Sequence, residues 1–240
     1  MTSYGKTDIG QRREMNQDFI FYSDEPVGRL PNLYIVADGM GGHNAGDYAS
    51  RCAADTIREY VEQSDYENPV TVLKYAILKA NERLIVDAQE QPELSGMGTT
   101  VVACVIDQRH LYVANMGDSR LYRLTKERLE QITMDHSLVE ELIRSGKLER
   151  ENVRNHPEKN IITKAVGATT DAMPDFFELD LEDGDKVLLC SDGLSNMVED
   201  DEMEDIIREE ASLERTVDRL VERANYYGGR DNISVILIGQ

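Results

Sequence analysis

The chain has 240 residues, 40% of them hydrophobic, and carries 26 basic against 46 acidic side chains, a net charge of −20. That balance leaves no basic stripe for nucleic acid or an anionic membrane, and no run nears the roughly 18 apolar residues of a membrane span. Cys52, Cys104 and Cys190 are odd in number and far apart, against a disulfide framework or a Cys-rich metal site; the N-terminus lacks a secretory signal's apolar core, so a cytoplasmic protein is expected.

Short runs rich in Val, Ile, Leu and Tyr predict strands. Phe19–Tyr22 and Leu33–Ala37 come first. Gly46–Gln63 then reads as a helix with Tyr48, Cys52, Thr56 and Tyr60 along one face and Ala49, Ala53, Ile57 and Val61 beside it. Asn68-Pro69 has the form of a cap and first-turn proline for a second helix reaching about Asp87, with Leu73, Ala76, Ile77, Ala80 and Leu84 at helical spacing. Strands follow at Thr99–Ile106, Leu111–Ala114 and Arg120–Leu124, then a short helix over Ser137–Ser145 that stops at Gly146. Residues 145–160 are the most polar and loop-like stretch. Lys186–Cys190 and Ile233–Ile238 read as strands on either side of two helices, Asp200–Glu210 and Leu213–Tyr227, the second ended by Gly228-Gly229. Strands and helices mix without regular alternation, which predicts an α+β fold rather than a doubly wound one. One domain spanning residues 1–240, with a polar insertion, is the expected organisation.

The acids sit in unusual places. Asp38 follows the strand Leu-Tyr-Ile-Val-Ala and precedes Gly39; Asp192 follows Val-Leu-Leu-Cys-Ser and precedes Gly193. Asp18 and Asp231 each stand just before a strand, and Asp118 lies at the turn between two strands in Gly117-Asp118-Ser119-Arg120. If these strand ends converge, five carboxylates meet at one edge and repel unless cations neutralise them. Oxygen-only donors suit hard ions such as Mg²⁺ and Mn²⁺ rather than zinc. Asp-Gly is also a common turn pair, and any one of these sites alone reads as a plain turn. On pattern alone, both readings stay open for the set.

Six motifs then occur in order. They are Asp8-Ile-Gly10-Gln-Arg-Arg13-Glu-Met-Asn16-Gln17-Asp18, Ala37-Asp38-Gly39-Met40-Gly41-Gly42-His43 and Gly96-Met-Gly98-Thr99-Thr100, followed by Asn115-Met-Gly117-Asp118-Ser119-Arg120, Ser191-Asp192-Gly193-Leu194 and Gly229-Arg230-Asp231-Asn232-Ile233-Ser234. Spanning residues 8 to 234, they are similar to the motifs of the metal-dependent protein phosphatases of type 2C (the PPM family), in their bacterial form.

The resemblance implies a four-layer α-β-β-α sandwich of two antiparallel sheets flanked by helices, with a small flap at roughly 137–163. It implies a phosphatase acting on phosphoserine and phosphothreonine by direct attack of a metal-bridging hydroxide, in opposition to Ser/Thr protein kinases. Two Mn²⁺ or Mg²⁺ ions map onto Asp38, the Gly39 carbonyl, Asp192 and Asp231. Asp18 matches the acid that holds metal-bound water, and Asp118 a ligand of a third metal shared with Asp192. Arg13, selected over Arg12 by its spacing to Asn16-Gln17-Asp18, matches the arginine that binds substrate phosphate. Phosphorylated proteins, among them a Ser/Thr kinase, are the expected partners of a monomer that binds neither nucleic acid nor membrane.

One position departs from eukaryotic members, where a histidine proposed as general acid follows the first Asp-Gly. Here it is Met40, which leaves a metal-bound water as the preferred acid and assigns nearby His43 to helix entry. Two alternatives within reach of the same motifs are a phosphatase for a single anti-sigma-factor antagonist, a branch that commonly lacks the arginine, and a non-catalytic regulatory relative. Two decoys fall to chemistry. Cys52-x₅-Arg58 has the spacing of cysteine-dependent phosphatases, but it lacks glycine and puts Asp55 inside the would-be phosphate cradle. Gly39-Met-Gly41-Gly42-His-Asn44 ends in Asn where a dinucleotide fingerprint needs Gly or Ala.

Overall fold

The computed structural model describes residues 1–42, 45–149, 152, 156–171 and 173–239. It begins with β1 (Thr2–Asp8), β2 (Asp18–Ser23) and β3 (Leu33–Met40), followed by α1 (Ala45–Gln63) and α2 (Pro69–Glu90). A 3-10 turn at Pro92–Leu94 leads to β4 (Gly98–Thr99), β5 (Val101–Asp107), β6 (His110–Met116), β7 (Arg120–Leu124) and β8 (Leu129–Gln131). Then come α3 (Leu138–Arg144), β9 (Asp175–Asp180), β10 (Lys186–Cys190), α4 (Asp192–Ser195), α5 (Asp200–Glu209), α6 (Leu213–Tyr226) and β11 (Ile233–Gly239).

Two antiparallel sheets result, one in the order β1-β11-β10-β7-β8 and the other β2-β3-β5-β6-β9, with β4 paired to β3. Side-chain alternation sorts their residues into three apolar layers. Leu33, Ile35, Ala37, Val101 and Ala103 pack against the Ala49-Ala53-Ile57-Val61 stripe of α1 and the Leu73-Ala76-Ile77-Ala80-Leu84 stripe of α2. Leu188, Cys190, Ile233, Val235 and Leu237 pack against α5 and α6. Tyr34, Val36, Val102, Cys104, Leu189, Ile236 and Ile238 fill the seam between the sheets. The fold is therefore the four-layer α-β-β-α sandwich expected above. Truncating a fully buried member such as Ile35 or Leu73 to Ala should cost about 2–5 kcal/mol.

Local chemistry sets the helix starts. The Asn68 side chain accepts the Thr71 N–H at 2.9 Å with Pro69 in the first turn, which satisfies a donor that the helix itself leaves open. Ser137 caps α3 in the same way through the Glu140 N–H.

Several elements differ from expectation. β3 runs on through Asp38, Gly39 and Met40 because that end has partners: Asp18 opposite Asp38, Thr99 opposite Gly39 and Gly98 opposite Met40. The predicted strand over Thr99–Ile106 breaks at Thr100 into β4 and β5. β1, β8 and β9 carry no apolar run and escape the sequence reading. The turn holding Asp118 joins β6 to β7, which lie in different sheets. It is a crossing between layers, not a hairpin.

The stretch predicted as a flap closes at its base. Ser137 bridges Ile162, the Leu138 N–H donates to the Ile161 carbonyl at 2.9 Å, and the Thr163 N–H donates to the His136 carbonyl at 2.8 Å. Residues 150, 151 and 153–155 of this stretch lie outside the described residues. No helix among the described residues is long and apolar enough to cross a membrane.

Candidate metal centre

Period-two alternation delivers the acids to one place. On β3, Tyr34 and Val36 face the seam, so Asp38 faces it too. On β2, Ile20 packs into the seam while Phe19 and Phe21 pack towards the helices, which puts Asp18 on the seam side. Asp18 and Asp38 are direct cross-strand partners. The same count continues the seam from Val102 to Thr100, from Leu189 to Ser191 and from Ile236 to Ser234. At this end the seam changes from apolar to polar.

Hydrogen bonds fix the acids individually. Ser191 Oγ donates to Asp18 Oδ2 at 2.7 Å. The Asp38 N–H donates to Thr100 Oγ1 at 3.0 Å, and that oxygen lies 2.7 Å from Ser119 Oγ. Asp192, the first residue of α4, accepts Asn196 Nδ2 at 2.9 Å. Asp231 accepts the Asn232 N–H at 2.9 Å on one oxygen and Arg13 Nη2 at 2.6 Å on the other. Asn232 ties the Arg13 loop down: Nδ2 donates to the carbonyls of Ile9 and Met15, and Oδ1 accepts the Gln17 N–H. Gly39 is required here, because a Cβ would overlap the carbonyl oxygens of Gly46 and Gln17.

The electrostatics are unbalanced. Asp18 Oδ1, Asp118 Oδ1 and Asp192 Oδ1 are buried carboxylate oxygens with no hydrogen-bond partner, a state that costs free energy unless a cation compensates it. Burial and then the hydrogen bonds of Ser191 and Ser234 and the neighbouring acids set Asp18, whose pKa is pushed up to about 7. Burial, followed by the charge of Asp231, raises Asp192 to about 6. Asp38 and Asp118 stand well above the usual carboxylate range, from burial first and then from their acidic neighbours. Asp38 feels the charges of Asp18, Asp118, Asp192 and Asp231, so the five acids share one region of space. Among the described residues, no three His, Cys, Asp or Glu side chains are already drawn in around a single ion position; mutual repulsion opposes that closure. The donor set is oxygen-only and suits a hard divalent cation.

All seven predicted residues, Arg13, Asp18, Asp38, Gly39, Asp118, Asp192 and Asp231, belong to this end of the sandwich. Arg13 holds an ion pair with Asp231. Asp118 is only 8% exposed and, with Asp192, lines a cleft of about 480 Å³ that also takes in Asp135, Val139, Ile143 and Lys159. Met40 ends β3 half-buried. His43 lies outside the described residues. Cys52 sits in α1 with its thiol pushed up mainly by burial, unlike an activated nucleophile. Thr100, Ser191 and Asn232 carry much of the site's hydrogen bonding and had no role assigned from sequence. Their place inside the motifs was the available signal.

The family model described as Protein phosphatase 2C matches residues 7–237. The chain is 41% identical over 241 residues to the serine/threonine phosphatase stp of Listeria monocytogenes serovar 1/2a, covering 97% of this chain and 93% of that protein. Its fold is similar to a crystal structure of a bacterial serine phosphatase, with a TM-score of 0.92 and 34% identity over 100% of this chain and 97% of that one. It is also similar to the catalytic domain of the serine/threonine protein phosphatase PstP in complex with two manganese ions, with a TM-score of 0.87 and 29% identity, covering 98% and 96% of the two chains. Matched in sequence and in fold over nearly all its length, the chain belongs to the protein phosphatase 2C family.

Proposed function

We propose that this protein phosphatase removes phosphate from phosphoserine and phosphothreonine in proteins, with divalent cations held by Asp38, the Gly39 carbonyl, Asp192 and Asp231. Asp18 holds water at this centre, and Asp118 with Asp192 offers a third position. The observation that carries the reading is the set of three buried, unpartnered carboxylate oxygens on Asp18, Asp118 and Asp192. Cations bound there would lower the pKa of a water and offset the charge of the phosphate oxygens.

The chain's own groups do the rest. Arg13, on a loop pinned by Asn232, presents a planar fork that can hold two phosphate oxygens and orient the ester. Ser191 holds one oxygen of Asp18 and Thr100 holds the Asp38 backbone, which leaves the other carboxylate oxygens to close on a cation when it binds. The 137–163 stretch, whose described residues Ser137, Val139, Ile143 and Lys159 line the cleft beside Asp118, serves as a flap, and the whole chain is one catalytic domain. Mn²⁺ or Mg²⁺ serves as the metal, as the two manganese ions of PstP support. A cytoplasmic monomer opposing a Ser/Thr kinase, without nucleic acid or membrane among its partners, fits the net charge of −20. Retention of every mapped acid and of Arg13 favours this reading over a non-catalytic relative and over the anti-sigma-factor branch.

The test is turnover of phosphothreonine and phosphoserine peptides with Mn²⁺, with Mg²⁺ and with EDTA. Release of phosphate that stops in EDTA and returns on adding metal is expected. Turnover that persists in EDTA, or none with either metal, would refute the proposal.

A further inference from the structure

The turn that carries Asp118 is held from outside the six motifs by His136. The Gly117 N–H donates to His136 Nδ1 at 3.0 Å, and the His136 N–H donates back to the Gly117 carbonyl at 3.0 Å. Accepting from Gly117 leaves Nδ1 without a proton, so Nε2 carries the hydrogen and donates to Asp175 Oδ2 at 3.0 Å. The other Asp175 oxygen accepts Lys164 Nζ at 2.7 Å. The His136 carbonyl accepts the Thr163 N–H, and Ser137, the next residue, caps α3. One residue thus touches the Asp118 turn, both ends of the 137–163 stretch, and β9.

The turn has little freedom to give way elsewhere. Gly117 has φ +118°, and a Cβ there would come within 2.5 Å of the Thr100 side chain. Thr100 in turn accepts the Asp38 N–H. Asn115 Nδ2 adds a bond to the Met134 carbonyl at 3.1 Å. Gly117 is therefore clamped between the Asp38 network on one side and His136 on the other. The imidazole side chain is 12% exposed, so water does not readily replace its contact.

We propose that His136 is a positioning residue that fixes the Asp118 carboxylate and couples it to the base of the 137–163 stretch. The inference rests on the reading above that Asp118 acts in the reaction. The link runs through one ring and one backbone pair, from the Thr163 N–H and Asp175 to the Gly117 turn.

Two isosteres separate the ring's two contacts. His136→Asn keeps an oxygen near the Nδ1 position, able to accept the Gly117 N–H. His136→Gln keeps a donor near the Nε2 position and drops that acceptor. Hydrogen exchange at the Gly117 amide and steady-state kinetics on a phosphothreonine peptide are measured for both, beside Asp118→Ala and the His136→Gln/Asp118→Ala double variant. His136→Gln is expected to expose the Gly117 amide and to lower kcat about tenfold or more with KM little changed. His136→Asn is expected to keep the amide protected and most of kcat, and the double variant to be no worse than Asp118→Ala alone. Asp175→Ala, on the far side of the ring, is a milder second variant expected to move both readouts less, in the same direction. Wild-type exchange and kcat in both His136→Gln and Asp175→Ala would overturn the proposal, as would equal losses in His136→Gln and His136→Asn. Full activity in Asp118→Ala would instead refute the role read for Asp118, whatever the exchange data show.

Discussion

Arg13 donates through Nη2 to Asp231 Oδ2 at 2.6 Å, so the arginine expected to bind phosphate is held by an acid expected to bind metal. The Arg13 guanidinium is raised in basicity mainly by that hydrogen bond, and both partners are partly open to solvent, so the pair's own contribution to stability is small. Its importance is competitive: guanidinium and divalent cation seek the same carboxylate.

Arg13→Ala should therefore separate two effects. KM for phosphate monoesters rises because the fork is gone, while Mn²⁺ binding to the chelated and dialysed protein strengthens or stays level. Calorimetric titration with Mn²⁺ and kinetics on p-nitrophenyl phosphate check this. Unchanged kcat/KM would remove the phosphate role, and weakened Mn²⁺ binding would remove the competition.

Asp38→Asn, Asp192→Ala and Asp231→Ala should each stay folded and lose about 100-fold or more in kcat at saturating Mn²⁺, on the scale of removing one strong charge from an active centre. The metal-free variants should melt no lower than the parent, since each removes a charge from a crowded set. Near-parental turnover in any of the three would refute its assignment.

The metal-free protein should lose stability as pH rises. Asp18 and Asp192 have folded pKa values of about 7 and about 6, above the usual carboxylate range. The native state thus binds more protons than the unfolded chain between roughly pH 4 and 7. Stability is greatest below that window and falls through it by a few kcal/mol. Melting curves in EDTA from pH 5 to 8 should show a falling Tm, flattened by Asp18→Asn and by Mn²⁺. A Tm that rises across this range would contradict the electrostatic account.

Asp118→Ala should cost more turnover on phosphoserine peptides than on p-nitrophenyl phosphate, whose leaving group needs little protonation. Met40 occupies the position where an acidic side chain could have served. Equal rates for variant and parent on the peptide would show Asp118 to be a turn residue only.

Central strands and long helices were legible because burial on one or both faces imposes a pattern. Leu33–Ala37, Arg120–Leu124 and Lys186–Cys190 all carry it, as does the Leu73–Leu84 stripe of α2. β1 (Thr2–Asp8) pairs on one side only, with β11, and is half-exposed along most of its length. Its Thr-Ser-Tyr-Gly-Lys-Thr-Asp therefore reads as loop. β8 and β9 are edges as well. The acids of the site were legible because a carboxylate at the end of an apolar strand is conspicuous. Thr100, Ser191 and Asn232 were not, because a hydroxyl or amide at a strand end reads equally well as turn chemistry. His136 was hidden for another reason: its partners Gly117 and Asp175 lie 19 and 39 residues away in sequence.

Asp38 shares its face of β3 with Tyr34 and Val36, and that shared parity ties chemistry to folding. A residue inserted between Val36 and Asp38 would turn the acid towards α1, and one inserted before Tyr34 would also swap the two apolar layers. The reading frame of this strand is thus guarded twice, once by the packing of the two sheets and once by the acid at its end. Evolution can therefore vary the identities of Tyr34 and Val36 far more freely than the count of residues between them and Asp38.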